Sequence, residues 1–195
     1  MYKQCSSEKS AAQQRYFESV FLEMLQTIPY DEVFVSDLCK KAGLSRKTFY
    51  RLYDTKSDLV YAMIDHAIMD GESFVPDESV GPGGMHKFLA YWKHQKPLLD
   101  VLKKNNINAL LAQQAMKHVM AESPEIRGAF GADNSVEGRD TMLILLTGLF
   151  ALVLDWHSKG YDRTIDELAG SIMRFLTKPA IPYSEKGYEG VGNWR

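Results

Sequence analysis

Four neighbouring side chains in the first third of the chain could donate hydrogen bonds to an anionic partner. They are Arg46, Lys47, Tyr50 and Arg51. At the helical rotation of about 100° per residue, all four fall on one side of a helix, and Phe49, Leu52 and Tyr53 fall on the other. Arginine and lysine can donate to guanine acceptors in the major groove of DNA, and hydroxyl groups can reach phosphate oxygens. The alternative is an ordinary solvated face, which is the usual reason for cations on a helix.

The residues before this helix have the pattern of a helix-turn-helix. A short preceding helix has an inward stripe of Leu38, Cys39 and Ala42, and the last two are small enough for a second helix to cross closely. Gly43 can adopt the positive φ that ends a helix, and Ser45 can cap the next helix. The turn, the cap, the inward stripe and the outward cations agree with one another, and this agreement favours DNA binding over a solvated face.

Charge is unevenly distributed along the chain. The whole sequence holds 23 Lys and Arg against 25 Asp and Glu, a formal net charge of −2. Between Lys40 and Lys56, however, six basic residues stand against one acid, Asp54, which gives this segment a net charge of +5. Lys56 also lies near the start of a following helix, where free backbone N–H groups favour a phosphate. The segment is therefore the expected contact with a polyanion.

The chain predicts helices throughout, because apolar residues recur at spacings of three and four and no strand-like alternation is present. Ser10 and Gln13 resemble a capping box for a first helix over about 10–28. Thr55 and Asp58 can open a later helix as N-cap and third-position acid. The fold class is therefore all-α.

The predicted helices form two domains. Residues 1–70 hold a three-helix unit with the helix-turn-helix, and residues 85–180 hold a larger helical domain for ligand binding and dimerisation. Residues 71–84 contain four glycines and two prolines, which continue a helix only at high cost, so this stretch is expected to be the joint. The last stretch, 181–195, is expected to be an irregular tail.

Two helices near the end are expected to pair two copies of the chain. Residues 142–154 are apolar almost throughout, but 13 residues are too few to span a bilayer, so no membrane partner is expected. A helix that is apolar all round must be covered, and the helices over 140–157 and 165–177 are therefore predicted to form a homodimer bundle. Thr164 and Glu167 form a capping box for the second helix. Complete burial inside one subunit is the alternative.

Aromatic and methionine side chains after residue 84 could line a pocket for a small apolar effector. They include Phe88, Tyr91, Trp92, Met116 and Met120. The same side chains could equally be ordinary core residues, and the sequence favours neither interpretation.

The sequence contains no motif that indicates catalysis, metal binding or secretion. The two cysteines, Cys5 and Cys39, provide no disulfide framework, and the first residues lack the apolar core of a secretion signal, so a cytoplasmic protein is expected. Only two of the five histidines, His86 and His94, lie close together, and they are two helical turns apart rather than one. No phosphate loop, nucleophile elbow or catalytic carboxylate pair is present. We therefore expect no enzymatic activity, no metal and no cofactor.

The segment from Tyr30 to Leu59 resembles the N-terminal domain of the TetR repressor family, and the resemblance extends over about residues 10–68. It implies a three-helix DNA-binding head, a helical body that binds a ligand and dimerises, and a homodimer on a near-palindromic operator. In the body, residues 88–92 and 147–160 look like a TetR branch that includes regulators of dihydroxyacetone metabolism.

The resemblance also implies roles for individual residues. The side chains at positions where the family commonly touches the DNA backbone are Ser45, Thr48, Tyr50 and Lys56. Those at positions that can read bases are Arg46, Lys47 and Arg51. Leu52 is a departure, because relatives often carry His or Tyr there, and one phosphate contact is therefore expected to be missing.

The sequence thus predicts a sequence-specific, DNA-binding transcriptional repressor that works as a homodimer and is released by a small effector. An alternative of a different class is a protein-interaction coregulator that uses the same scaffold without a small-molecule effector. Specific binding to DNA fragments across salt concentrations distinguishes the two.

Overall fold

The computed structural model describes residues 2–3, 7–73, 82–122, 128 and 135–177. Over these residues the chain is all-helical, as predicted, with nine helices and no strand. In chain order the helices are α1 (Glu8–Thr27), α2 (Val35–Ala42), α3 (Arg46–Leu52), α4 (Lys56–Ser73), α5 (Pro82–His94), α6 (Lys96–Lys104), α7 (Ala109–Glu122), α8 (Val136–Ser158) and α9 (Ile165–Leu176). A 3-10 turn, Tyr30–Glu32, lies between α1 and α2.

The start of α1 differs from the prediction. Ser7, and not Ser10, is the N-cap, and its hydroxyl oxygen accepts a hydrogen bond from the Ser10 backbone N–H at 3.3 Å. The predicted capping box of Ser10 and Gln13 is therefore wrong. Two serines three residues apart offer the same capping chemistry, so the local pattern alone did not separate them.

Two other helix starts are confirmed. At α4, the Asp58 N–H donates to Thr55 Oγ1 at 3.2 Å, and the Thr55 N–H donates to Asp58 Oδ2 at 2.8 Å. At α9, Thr164 and Glu167 make the same reciprocal pair of bonds. Both boxes satisfy backbone donors that have no partner within the helix.

Helices enter the predicted joint at 71–84 from both sides. α4 continues through Gly71 to Ser73, and α5 begins at Pro82, a residue that suits the first turn because it lacks an N–H. Gly71 permits a close approach of α5, since a Cβ atom there would lie 2.8 Å from Tyr91 Cε1. Residues 74–81 of the joint and the predicted tail, 181–195, lie outside the described residues.

One hydrophobic core continues from the N-terminal helices into the body. A single cluster of buried side chains includes residues from both halves. Phe17 and Phe49 of the N-terminal helices and Leu99 and Trp156 of the body are all fully buried in it. Contacts of α1 with α6, and of α4 with α7, carry this core from one half to the other. The N-terminal unit that holds the helix-turn-helix is therefore packed against the body through α1 and α4.

The apolar helix α8 is longer than its sequence indicated. It has 23 residues, and by length and composition alone it could cross a membrane, so the argument that its apolar segment is too short does not hold. Met142, Phe150 and Trp156 are buried, but Ile144 is 75% exposed and Leu143 49% exposed. Complete burial of α8 inside one subunit, the alternative above, is therefore wrong. Among the described residues, its outer side carries exposed apolar side chains such as Leu143 and Ile144.

Candidate nucleic-acid interface

The turn between α2 and α3 has the predicted geometry. Gly43 adopts φ +63° and ψ 24°, and its N–H donates to the Lys40 carbonyl oxygen at 3.2 Å. The next N–H, of Leu44, donates to the Cys39 carbonyl oxygen at 3.0 Å. Ser45 then caps α3, because its hydroxyl oxygen accepts from the Thr48 N–H at 3.1 Å. These bonds satisfy the end of one helix and the start of the next.

The two sides of α3 are divided as predicted. Phe49 and Leu52 are buried, and the ring of Phe49 packs edge-on against Phe17 of α1 at a centroid distance of 5.6 Å. The exposed side chains on the other side are Arg46, Lys47, Tyr50 and Arg51. Three cationic groups and one phenol thus face outward from a helix whose opposite side is anchored in the core.

The hydroxyl groups predicted to meet phosphates are also brought together. Ser45 Oγ and Thr48 Oγ1 lie 2.9 Å apart at the beginning of α3. Tyr50, whose hydroxyl is also predicted to meet a phosphate, is 48% exposed and lies beside the outward cations. These placements agree with the expected contacts, and the contacts themselves stay predictions.

Arg51 is already engaged inside the chain. Its Nη2 donates to Gln13 Oε1 of α1 at 2.5 Å. If Arg51 contacts a base, it must give up or share this bond with Gln13. The side chains of Arg46 and Lys47 make no hydrogen bond or ion pair in the described part of the chain. Arg46 and Lys47 are thus the more accessible of the predicted base readers.

Lys56 lies somewhat apart from the outward side of α3. Its Nζ donates to the carbonyl oxygens of Tyr30 at 2.5 Å and Val33 at 2.9 Å, and it lies 4.1 Å from the Tyr30 ring centroid. Burial lowers the pKa of Lys56, and the nearby carboxylate of Asp31 opposes this shift. Lys56 therefore holds the turn before α2, and a phosphate contact would have to use its remaining N–H.

A polar network behind α3 was missed by the sequence analysis. His66 Nδ1 hydrogen-bonds both carboxylate oxygens of the buried Glu18, at 2.8 and 2.9 Å. The hydroxyl of Tyr53 donates to the Gln14 carbonyl oxygen at 3.2 Å and approaches Glu18 Oε1 at 3.4 Å. The residue that ends α3 is thus tied to α1 and, through Glu18, to α4. Helical periodicity gave no signal for it, because it predicts apolar side chains at these inward positions.

The body contains a small apolar cavity of about 90 Å³ between α4, α5, α7 and α8. Its walls include Phe88, Tyr91 and Trp92, three of the predicted pocket residues. Glu72 is the charged residue in the lining, and its carboxylate lies 3.0 Å from His118 Nε2. The volume is below the roughly 150 Å³ of an engineered cavity that holds benzene.

Two predicted pocket residues lie elsewhere. Met116 and Met120 pack in a neighbouring apolar cluster with Val119 and Met142, and neither lines the cavity. Methionines suit such irregular packing because their side chains are flexible. For these two residues the interpretation as core, which the sequence left open, is the correct one.

An apolar surface runs along α8 and α9. Ile144 and Phe175 are each 75% exposed, and both line a groove between the two helices. Gly148, one helical turn after Ile144, lines the same groove, and a Cβ atom there would meet nothing within 4 Å. A second helix could therefore approach the backbone closely at this point.

Within the described ranges, no three His, Cys, Asp or Glu side chains are grouped closely enough to hold a metal ion. Cys39 is buried in α2, and burial raises the pKa of its thiol. A raised pKa disfavours the reactive thiolate.

No family model and no curated protein matches the sequence. The fold, however, is similar to that of a solved structure, the TetR family repressor AlkX from Dietzia sp. strain DQ12-45-1b, which is implicated in biodegradation of n-alkanes. The alignment covers 84% of this chain and 93% of that chain, with a TM-score of 0.52 and 18% sequence identity. The chain has the TetR repressor fold. The TetR fold was the expectation from residues 10–68, and the branch suggested by residues 88–92 and 147–160 stays a prediction.

Proposed function

We propose that this chain is a cytoplasmic, sequence-specific transcriptional repressor that binds a near-palindromic operator as a homodimer. The observation that carries the proposal is α3, a helix buried on one side and lined on the other with Arg46, Lys47, Tyr50 and Arg51. Its setting in a TetR fold supports a regulator rather than an enzyme. A helix of this kind fits the major groove, where arginine and lysine read guanine.

The charge distribution supports the same orientation towards DNA. The segment 40–56 has a net charge of +5 in a chain of −2, so the rest of the chain repels a polyanion while this segment attracts it. In the proposed complex, Ser45, Thr48, Tyr50 and Lys56 contact phosphates. Those contacts supply affinity and register, and the side chains of Arg46, Lys47 and Arg51 supply sequence choice.

The proposed homodimer uses the exposed apolar side of α8 and α9. Ile144, Gly148 and Phe175 form a surface that water solvates poorly, and a twofold-related copy would cover it with the same residues. This arrangement also accounts for the apolar composition of α8 without a membrane. Two recognition helices would then lie about 34 Å apart, one turn of DNA.

The apolar cavity in the body is the proposed site for a small apolar effector, which would have to widen it. α4 contributes Ile68 and Gly71 to the cavity, and the same helix begins at Lys56, which holds the turn before α2. An effector that changes the position of α4 would change the spacing of the two recognition helices and so the operator affinity. The small volume of the cavity favours the second candidate, a protein-interaction coregulator without an effector.

Selection of genomic fragments with the purified protein tests the proposal. We expect a specific fragment to be retained as salt is raised, and Arg46→Ala to lose about 1–3 kcal/mol of discrimination between that fragment and its single-base variants. The matched control is Lys103→Ala, which removes one exposed cation from α6 and should leave discrimination unchanged. A wild-type protein that selects no fragment over random DNA at any salt concentration would favour the coregulator.

A further inference from the structure

Lys3 lies against the C-terminal end of α3, although it precedes Tyr50 by 47 positions in the sequence. Its backbone N–H donates to the Leu52 carbonyl oxygen at 3.0 Å. Its ammonium donates to the Tyr50 carbonyl oxygen at 2.9 Å and lies 2.9 Å from Asp54 Oδ1. Lys3 thus makes two polar contacts with carbonyl groups at the end of the recognition helix and a third with Asp54 just beyond it.

These contacts matter because α3 has only seven residues. A helix of this length is marginal by itself, and its last carbonyl groups have no partner within the helix. The Phe49 carbonyl oxygen accepts from the Tyr53 N–H, whereas those of Tyr50 and Leu52 accept from Lys3. A positive charge is also favourable at this end of the helix dipole.

The segment is held by other helices as well. We call Tyr2 and Lys3 the N-terminal strap. The carbonyl oxygen of Lys3 accepts from Nε2 of the buried Gln14 in α1 at 3.3 Å. The ring of Tyr2 packs edge-on against His66 of α4, with centroids 5.8 Å apart. The strap therefore links the end of α3 to the two helices that support it.

We propose that Lys3 is a positioning residue for DNA recognition, which holds the C-terminal end of α3 and acts through that helix without touching DNA. The inference rests on the proposed function. The rival role is a direct phosphate contact by the Lys3 ammonium, which would require it to leave the Tyr50 carbonyl and the Asp54 carboxylate. The two roles differ in their dependence on salt, because each phosphate contact adds about one unit to the slope of log affinity against log salt.

The test compares Lys3→Met, Lys3→Arg and the control Lys9→Met, which removes one exposed lysine from the first turn of α1. Operator affinity is measured across a salt series for each full-length variant. We expect Lys3→Met to weaken binding by about two- to tenfold with an unchanged salt slope. Lys3→Arg, which keeps the charge and the donors, should restore most of the affinity. Lys9→Met should bind as the wild type does.

Hydrogen exchange without DNA gives the second readout. The backbone N–H groups of Arg51 and Leu52 should exchange several-fold faster in Lys3→Met than in Lys9→Met, because the end of α3 opens more often. Unchanged exchange and unchanged affinity, in a wild type that binds its operator, would overturn the inference and leave the proposed function intact. A salt slope that falls by about one would also overturn it in favour of a phosphate contact. A wild type that selects no DNA would overturn both.

Discussion

A methyl group added at Gly71 should destabilise the protein by pushing α5 away from α4. The Cβ atom of Gly71→Ala would lie 2.8 Å from Tyr91 Cε1 and 3.1 Å from Cδ1. Tyr91 is 9% exposed, and its hydroxyl donates to the Ala67 carbonyl oxygen at 2.6 Å. Burial raises the pKa of Tyr91 to about 12, which keeps this hydroxyl neutral and able to donate. The edge of the Tyr91 ring faces Gly71 and its hydroxyl is bonded to Ala67, so the ring cannot move aside freely.

The magnitude follows from three contributions. Overpacking of a well-packed core costs about 1–3 kcal/mol. If the ring shifts, the bond from Tyr91 to Ala67 weakens, which costs up to about 1 kcal/mol more. The change from glycine to alanine in a helix offsets about 1 kcal/mol at most, and less than that here because Gly71 is in the last turn of α4. We expect a net loss of about 1–3 kcal/mol in the free energy of unfolding.

Urea unfolding measures this loss, and one fixed protein concentration is used because the stability of the proposed dimer would depend on concentration. Gly83→Ala is the matched control, since Gly83 is helical and exposed and a Cβ atom there meets nothing within 4 Å. It should be neutral or stabilising by up to about 1 kcal/mol. In a Tyr91→Leu background the ring is gone, and Gly71→Ala should no longer destabilise. An equal loss in both backgrounds would refute the steric explanation.

Two further predictions concern the proposed dimer and the pH dependence of stability. Gly148→Leu should shift the protein from dimer to monomer in sedimentation velocity while the helix content of the subunit is unchanged, because a Cβ atom at this position meets nothing within 4 Å in the single chain. A variant that stays dimeric would place the interface elsewhere. Burial acts to raise the pKa of Asp100, but hydrogen bonds from Lys96 and His157 outweigh it and hold the pKa below its ordinary value of 3.8. The carboxylate therefore stabilises the fold above the unfolded-state pKa of 3.8, and the stabilisation is lost as the pH falls from there through the lower pKa of the folded state. The urea midpoint of Asp100→Asn should fall less than that of the wild type over this range, and parallel losses would contradict the assignment.

The features of the helix-turn-helix that sequence reasoning predicted correctly are all local. The positive φ of Gly43, the Ser45 cap and the burial of Phe49 depend on residues within about one helical turn. Turn chemistry and the 3.6-residue period act over that range, so a short stretch of sequence contains enough information. The error at the start of α1 is also local. Ser7 and Ser10 are equally able to cap a helix, and the sequence nearby does not show which of them does so.

What the tertiary structure decided involves residues far apart in the chain. The contact of Lys3 joins the N-terminal strap to α3. The pair of Glu18 with His66 and the bond from Arg51 to Gln13 each join two different helices. The apolar composition of α8 indicated that the helix must be covered, but which side the subunit covers was set by how α5 and α7 pack on it. Sequence periodicity determines which face of a helix is apolar, whereas the neighbour that meets each face depends on the packing of the whole chain.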